Sequence, residues 1–128
     1  MKTKNLIYNG IGKGVWNYDL KHDILLLKVK NLLYEKSVDI DDYTIHFDPG
    51  GLTMGLEIED ASKVLDVSKE ALRQISFFRY DILIKGGRIQ IKILLLTKSR
   101  NKELKLQQDI ERVLEQEQTA LEVSCSTK

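Results

Sequence analysis

Hydrophobic and polar residues alternate with a period of two along much of the chain, which is the pattern of half-buried β-strands. The stretch from Tyr43 to Ile58 shows this alternation on both sides of Asp48-Pro49-Gly50-Gly51. Proline fixes φ and glycine supplies positive φ, so this tetrapeptide predicts a hairpin loop. Residues opposed across an antiparallel pair share a face of the sheet, which restricts the register. We therefore expect these opposed pairs: Phe47 with Leu52, Ile45 with Met54, and Tyr43 with Leu56.

A second hairpin is predicted between residues 77 and 96, where two alternating runs enclose Gly86-Gly87. Both loop positions of a type I′ turn need positive φ, so two consecutive glycines predict a two-residue loop. This loop sets Lys85 opposite Arg88. The same register sets Asp81 opposite Lys92, a favourable cross-strand charge pair.

Weaker patterns complete the predicted elements. Strands are expected over residues 15–18, 24–30 and 34–38. Asp60 is a candidate N-cap for a helix that begins at Ala61, restarts at Asp66 or Ser68, and runs to about Ile75.

The pattern changes after Lys98. Ser99 or Asn101 can cap a helix whose apolar residues recur at helical spacing, namely Leu106, Ile110, Val113 and Leu114. We therefore predict three parts: an α+β domain over residues 1–98, a C-terminal amphipathic helix over 99–121, and a disordered tail over 122–128. The fold class is α+β, an antiparallel sheet of hairpins with a central helix and this C-terminal helix.

Charge and cysteine content exclude several classes of function. The net charge of +1 gives no global attraction to nucleic acid or anionic lipid. Residues 31–62 are strongly acidic and residues 63–98 are basic, which indicates compensation between neighbouring strands. The single Cys125 permits no internal disulfide, and His22 and His46 fit no zinc-ligand spacing with it. The N-terminus lacks a secretory core and the longest aliphatic runs are too short to span a bilayer, so we expect a cytoplasmic protein.

Two stretches of the sequence resemble a known family. The matching positions are Tyr18, Asp19, Asp23, Leu25 and Leu27, followed by Ile45, Asp48, Gly51, Gly55, Leu56, Glu57, Ile58, Ala61 and Ser62. In this order they resemble the small prokaryotic family called domain of unknown function 2283, with Leu56 in place of the usual isoleucine. The helix-like Val67-Ser68-Lys69-Glu70-Ala71-Leu72 and the basic hairpin after it resemble the longer archaeal members, so the likeness covers about residues 15–97.

The resemblance implies a meander of antiparallel strands with a helix packed on it. It implies no catalytic residue and no cofactor. Through the toxin-like neighbours of some relatives, it implies a partner-binding or antitoxin-like role.

Few polar residues form a pattern typical of catalysis. Asp19, His22 and Asp23 share one predicted turn and could be metal ligands, but aspartates in turns more often bond their own backbone. His46 is expected to lie opposite Thr53, without a carboxylate partner. Glu57, beside Gly55, is a candidate polar site, with an ion pair to a neighbouring strand as the alternative. No nucleophile–base arrangement or phosphate-binding loop is evident, and no metal or cofactor is expected.

The basic hairpin supports two different partners. Its candidate nucleic-acid contacts are Arg79, Lys85, Arg88 and Lys92. Phe77, Leu94 and Leu96 share that face, and a mixed apolar and basic face more often meets a protein element. We therefore predict a non-enzymatic interaction module that forms a homodimer through these residues and the apolar residues of the C-terminal helix. A nucleic-acid-binding hairpin and a small enzyme are the alternatives.

Overall fold

The computed structural model describes residues 14–29, 35–50, 53–113 and 121–126. Within these ranges the chain forms nine strands and two helices of a single turn each. In order these are β1 (Gly14–Asp19), β2 (Ile24–Val29), β3 (Lys36–Ile40), β4 (Tyr43–Phe47), β5 (Thr53–Ile58), α1 (Ala61–Val64), α2 (Lys69–Leu72), β6 (Ile75–Lys85), β7 (Arg88–Ser99), β8 (Lys102–Val113) and β9 (Leu121–Ser126).

The strands form two antiparallel sheets. The first has five strands in the order β1-β2-β5-β4-β3, and the second has four in the order β8-β7-β6-β9. The predicted antiparallel sheet of hairpins is therefore confirmed. The helical part of the α+β prediction reduces, in the described residues, to the two single turns between β5 and β6.

One hydrophobic core joins the two sheets. The first sheet supplies residues such as Leu27, Ile45 and Leu56, and the second supplies residues such as Tyr80 and Ile91, all fully buried. Along β2, β4 and most of β6 the buried residues alternate with more exposed ones, as the period-two pattern predicted. Each fully buried aliphatic or aromatic side chain stabilises the fold by roughly 1.5–3 kcal/mol.

The register of the first hairpin differs from the predicted one. Ile45 lies opposite Leu56, Tyr43 opposite Ile58 and Phe47 opposite Thr53, with an irregularity between His46 and Phe47. The predicted partner of Ile45 was therefore wrong by two residues. A shift of two keeps every side chain on its face, so the alternation alone could not exclude it. The predicted partner of Phe47, Leu52, lies outside the described residues.

The register of the second hairpin is confirmed. Lys85 lies opposite Arg88, and Asp81 lies opposite Lys92. Gly86 and Gly87 have φ values of 60° and 73°, as a type I′ turn requires.

The predicted C-terminal helix is wrong over residues 102–113, which form strand β8 along the whole of β7. Arg100 and Asn101 have φ values of 52° and 64°, so they form a two-residue hairpin turn and Asn101 caps no helix. Along β8, Leu104, Leu106 and Ile110 belong to the more buried row, with a period of two. The predicted disordered tail is also replaced, because β9 extends over Leu121–Ser126 and pairs with β6. Leu114 lies outside the described residues.

The central helix is shorter than predicted. Asp60 adopts the left-handed conformation with φ 50°, and its side chain does not cap α1. Ser68 does cap α2, accepting a hydrogen bond from the Ala71 backbone nitrogen at 3.1 Å. That helix ends at Leu72, because Ile75 already begins β6. In the part of the chain that is described, no helix has the length and apolar character needed to cross a membrane.

Candidate functional site

The aspartate that begins β2 connects three parts of the chain. Asp23 is 7% exposed, and its carboxylate accepts hydrogen bonds from the Tyr18 hydroxyl at 2.6 Å and the Ser62 hydroxyl at 2.6 Å. The Ser62 backbone nitrogen donates to it at 3.0 Å, and the Asp23 carbonyl accepts from Ala61. Four positions of the family-like pattern therefore meet at the start of α1. Their role is to hold the helix to the β1–β2 turn.

The environment of Asp23 favours its ionised form. Burial alone would raise the pKa of Asp23, but the hydrogen bonds from Ser62 and Tyr18 outweigh it and hold the pKa below its ordinary value. Burial and the hydrogen bond to the same carboxylate raise the pKa of Tyr18. The hydrogen bonds that Asp23 accepts from Tyr18 and Ser62 therefore stabilise the fold.

The neighbouring aspartate and histidine bond each other. Asp19 accepts from the His22 backbone nitrogen at 3.1 Å, and its other oxygen lies 2.8 Å from His22 Nδ1. These exposed contacts close the turn that the sequence predicted as an Asx structure. Among the described residues, no group of three or more His, Cys, Asp or Glu side chains is arranged to hold a metal ion.

A serine, a histidine and a glutamate are linked on the outer face of the first sheet. His46 Nδ1 lies 2.7 Å from Ser37 Oγ, across the β3–β4 pair. His46 Nε2 lies 3.4 Å from Glu57 Oε1, on β5. In the tautomer protonated on Nε2, the ring donates toward Glu57 and accepts from Ser37. The predicted register set His46 opposite Thr53 and so placed Glu57 away from the ring, which is why this contact was not expected.

Gly55 marks a close approach between β5 and the neighbouring strand β2. It lies directly opposite His46, and a Cβ at this position would come 3.2 Å from the Lys28 Cβ, 3.3 Å from the Leu27 carbonyl oxygen and 3.7 Å from the ring. The glycine that was predicted to mark a close approach therefore does so for residues of the chain itself. Glu57 was predicted to pair with a lysine or arginine of a neighbouring strand, but the structure places it against the His46 ring instead.

The second sheet has an outward face formed by alternate residues of β6, β7 and β8, which we call the hairpin face. The guanidinium of Arg79 bonds Asp81 at 3.1 and 3.2 Å, and this contact raises the pKa of Arg79. Arg88 bonds Glu111 at 2.9 Å. Lys92 lies between Asp81 on β6 and Asp109 on β8 in the strand register. Three of the four predicted nucleic-acid contacts therefore lie beside carboxylates of the same face.

The predicted interface residues do not form one surface. Phe77, Leu94 and Leu96 are half-buried on the hairpin face, as predicted. Leu106 and Ile110 point to the other side of β8 and belong to the core or pack against it. Val113 is 68% exposed on the hairpin face. The predicted helix placed Leu106, Ile110 and Val113 on one side, but in a strand Val113 points to the side opposite Leu106 and Ile110.

The hairpin face is concave in its middle. A depression of about 370 Å³ there is lined by residues that include Arg79, Asp81, Lys92, Leu94, Gln107 and Asp109. A smaller one of about 160 Å³ lies toward the Gly86-Gly87 turn, between Lys85, Arg88 and Glu111. Both depressions are open and contain groups of opposite charge, so neither presents a single-sign field to a ligand.

The fold defines a two-sheet antiparallel β protein in which Tyr18, Asp23 and Ser62 hold α1 to the β1–β2 turn. Comparison with known proteins adds two archaeal relatives. A protein of Methanosarcina mazei, provisionally named a hypoxanthine phosphoribosyltransferase, is 29% identical over 87 residues, which are 68% of this chain and 71% of that protein. An uncharacterized protein of Methanocaldococcus jannaschii is 34% identical over 89 residues, 69% of this chain and 77% of that protein. The chain belongs to the family of this Methanocaldococcus protein.

No family model and no solved structure matches the chain. The resemblance to domain of unknown function 2283 therefore stays a prediction. The names of the two relatives describe those proteins and assign no residue of this chain a role.

Proposed function

We propose that this protein is a non-enzymatic interaction module that self-associates through its four-stranded sheet. The observation that carries the proposal is the composition of the hairpin face. Leu83, Leu94 and Leu96 are half-buried there, between charged residues that are already paired within the chain. A face with exposed apolar area and little unpaired charge gains more from a protein surface than from a polyanion.

A second copy of the chain fits the charge pattern of this sheet. Its outward residues carry both signs side by side, with Arg79 and Asp81 on β6, Lys92 on β7 and Asp109 on β8. Surfaces that carry both signs in neighbouring rows can meet their own copy about a twofold axis without a net repulsion. This favours a closed dimer over a partner with a strong charge of one sign.

The resemblance to domain of unknown function 2283 also supports a partner-binding role. The antitoxin-like role rests on that resemblance alone. Under this proposal the Tyr18–Asp23–Ser62 contacts build the module and take no part in binding a partner.

Sedimentation velocity of the full-length chain, from about 5 to 200 µM, tests the proposal, because an interface of ordinary size gives micromolar or tighter association. We expect a species of twice the chain mass that dissociates on dilution. The control variant is Leu20→Ser, which removes an apolar side chain, 45% exposed, from the β1–β2 turn of the other sheet. It should dimerise as the wild type does. A single species of monomer mass over the whole range would exclude self-association.

The Ser37–His46–Glu57 arrangement favours a small enzyme as the second candidate. A hydroxyl bonded to a histidine that also contacts a carboxylate is the arrangement that activates serine nucleophiles. A fluorophosphonate probe tests it, since an activated Ser37 would be labelled in the wild type and not in Ser37→Ala. In parallel, consumption of hypoxanthine in the presence of a phosphoribosyl donor, 5-phosphoribosyl diphosphate, tests the activity named for the Methanosarcina relative. We expect neither labelling nor consumption, and either result in the wild type alone would favour the enzyme.

A further inference from the structure

We propose that β8 pairs with β8 of a second copy in an antiparallel register that sets Gln108 opposite Gln108. This inference rests on the self-association proposed above and places its contact at the β8 edge of the four-stranded sheet rather than between two hairpin faces. The two four-stranded sheets would then form one continuous sheet, and the hairpin faces of the two copies would lie side by side.

The exposed edge of β8 is the first reason. Strand β8 ends the order β8-β7-β6-β9, so one of its two edges pairs with no strand of the described residues. It is 12 residues long and pairs with β7 without a register shift. Edge strands are usually protected from pairing by proline, a bulge, shortness or charged side chains, and of these β8 has only the charged side chains. β8 contains no proline, no bulge and is twice as long as β1 or β9.

The two faces of β8 restrict the register. Its even-numbered residues from Leu104 to Ile110 point to the core, whereas the odd-numbered ones lie on the hairpin face. Opposed residues share a face, so a copy must set even positions opposite even ones. Any other register would bring the apolar row of one copy against the polar row of the other.

Charge selects one register from those that remain. With Gln107 on the twofold axis, Glu103 opposes Glu111; with Asp109 on the axis, that carboxylate opposes itself. A twofold axis through Leu106 sets Glu103 opposite Asp109, and an axis through Ile110 sets Asp109 opposite Glu111. An axis through Lys105 sets that lysine opposite its own copy. With Gln108 on the axis, Lys105 opposes Glu111 in both halves. This is the only one of these registers without a like-charge opposition.

The same register extends the core. It sets Leu106 opposite Ile110 twice, once on each side of the axis, on the face that packs against the first sheet. Gln108 is held by a hydrogen bond from its side-chain nitrogen to the Val64 carbonyl at 3.1 Å. Arg112 is held by Asp41 at 2.6 Å, which fixes the end of β8 to the β3–β4 turn. The strand is therefore positioned by its own chain before a copy arrives.

Charged side chains on an edge strand usually discourage pairing, whereas the proposed register needs Lys105 and Glu111 to attract each other. Exchanging the two charges distinguishes these roles. Lys105→Glu sets two carboxylates opposite each other in both halves, so we expect the dimer to dissociate about tenfold more readily. Glu111→Lys should do the same with two ammonium groups. The double variant Lys105→Glu, Glu111→Lys should form a tighter dimer than either single variant, although it lacks the contact between Glu111 and Arg88. Lys85→Glu is the control, because it makes the same charge change on the hairpin face away from the edge.

Cysteine cross-linking reads the register directly, in a Cys125→Ser background. Gln108→Cys would bring two Cα atoms to about 4.5–5.5 Å, inside the range of a disulfide. We expect a disulfide-linked dimer under mild oxidation. Lys105→Cys is the control, because its two copies would lie about 20 Å apart along the strands and should not link.

The possible outcomes distinguish this inference from the proposed self-association. A dimer that the charge reversals leave intact and Gln108→Cys does not link would overturn the β8 interface while self-association stands. A wild-type chain that remains a monomer overturns both. Melting curves identify a variant that fails to fold, and the cross-linking pair then decides the result.

Discussion

The Asp23 carboxylate accepts two hydrogen bonds from Ser62, at 3.0 Å from its backbone nitrogen and 2.6 Å from its hydroxyl, across 39 positions of sequence. The Tyr18 hydroxyl donates to the same carboxylate. Tyr18 and Ser62 therefore share one acceptor, the Asp23 carboxylate. Their contacts with it fix the β1–β2 turn against the first turn of α1.

Replacing Ser62 with alanine removes a hydroxyl donor to a buried charge, and hydrogen bonds to charged groups contribute roughly 1.5–3 kcal/mol. We expect Ser62→Ala to lower the free energy of unfolding by about that amount in urea titrations. Ser76→Ala is the matched control, because its exposed hydroxyl donates to an uncharged acceptor, the Leu96 carbonyl. A Ser62→Ala chain as stable as the control would show that the contact contributes little.

Stability at acid pH should depend on Asp23. Its pKa is lowered in the folded chain, so its ionised form stabilises the fold above the ordinary aspartate pKa of about 3.9. That stabilisation is lost as the pH falls through the lowered value. Urea titrations from about pH 6 to pH 2 should therefore show a smaller acid-induced loss in Asp23→Asn than in the wild type. Asparagine suits the φ of 56° at this position, so the variant should fold. Identical acid profiles would contradict the assignment.

The two hairpins show what the sequence could and could not reveal. Gly86-Gly87 forms a two-residue turn, and residues opposed across the strands must share a face of the sheet. Together these leave a single register, and the predicted Asp81–Lys92 pair is confirmed. The Asp48-to-Gly51 loop admits several lengths that keep the same faces. The irregularity beside Phe47 therefore could not be read from the alternation, and the contact between His46 and Glu57 was missed with it.

Strand β8 was predicted as a helix because its apolar residues fit both the helical period and the period of a strand. Leu106, Ile110 and Val113 recur at helical spacing, whereas Leu104, Leu106 and Ile110 recur at the spacing of a strand. The signal that could have decided is Asn101, since asparagine tolerates positive φ and marks tight turns. The β8 edge depends on that turn, so it could not be inferred without it.

The type I′ turn of the second hairpin should tolerate only residues that accept positive φ. We expect Gly86→Val to lower the free energy of unfolding by about 1 kcal/mol or more, because a β-branched residue fits φ 60° badly. Gly86→Asn is the control, since asparagine adopts this conformation at small cost. No neighbouring atom lies within 4 Å of the added Cβ, so steric contact would not explain a difference between the two.

Nucleic acid is expected not to bind the hairpin face. Arg79 and Arg88 bond Asp81 and Glu111, so two of the four candidate cations are already neutralised and contribute less to replacing counterions along a phosphate backbone. Gel-shift and fluorescence-anisotropy titrations with single- and double-stranded DNA at low salt should show no complex. If a complex forms, weakens steeply with salt and is lost when Arg79, Arg88 and Lys92 are neutralised together, the nucleic-acid alternative is correct.

Truncation after Lys98 removes β8 and β9, and so both neighbours of the β6–β7 hairpin in its sheet. Ile91 then loses Ile110 across the strand pair, and Leu95 loses Leu106. The new edge of β7 is a long row of unpaired backbone groups beside exposed apolar side chains, which is a template for aggregation. We expect the truncated chain to aggregate, or to lose cooperative unfolding, when it is measured by light scattering and by circular dichroism during heating.

Truncation after Val113 is the informative control, because it keeps β8 on β7 and removes only β9 among the described strands. The edge of β6 then opens while the Ile91–Ile110 and Leu95–Leu106 contacts remain. If those contacts hold the sheet together, this chain should stay folded and should still dimerise through β8. If the chain ending at Lys98 is as soluble and as cooperative as the chain ending at Val113, β8 contributes neither core nor interface. The C-terminal segment would then be dispensable for the fold.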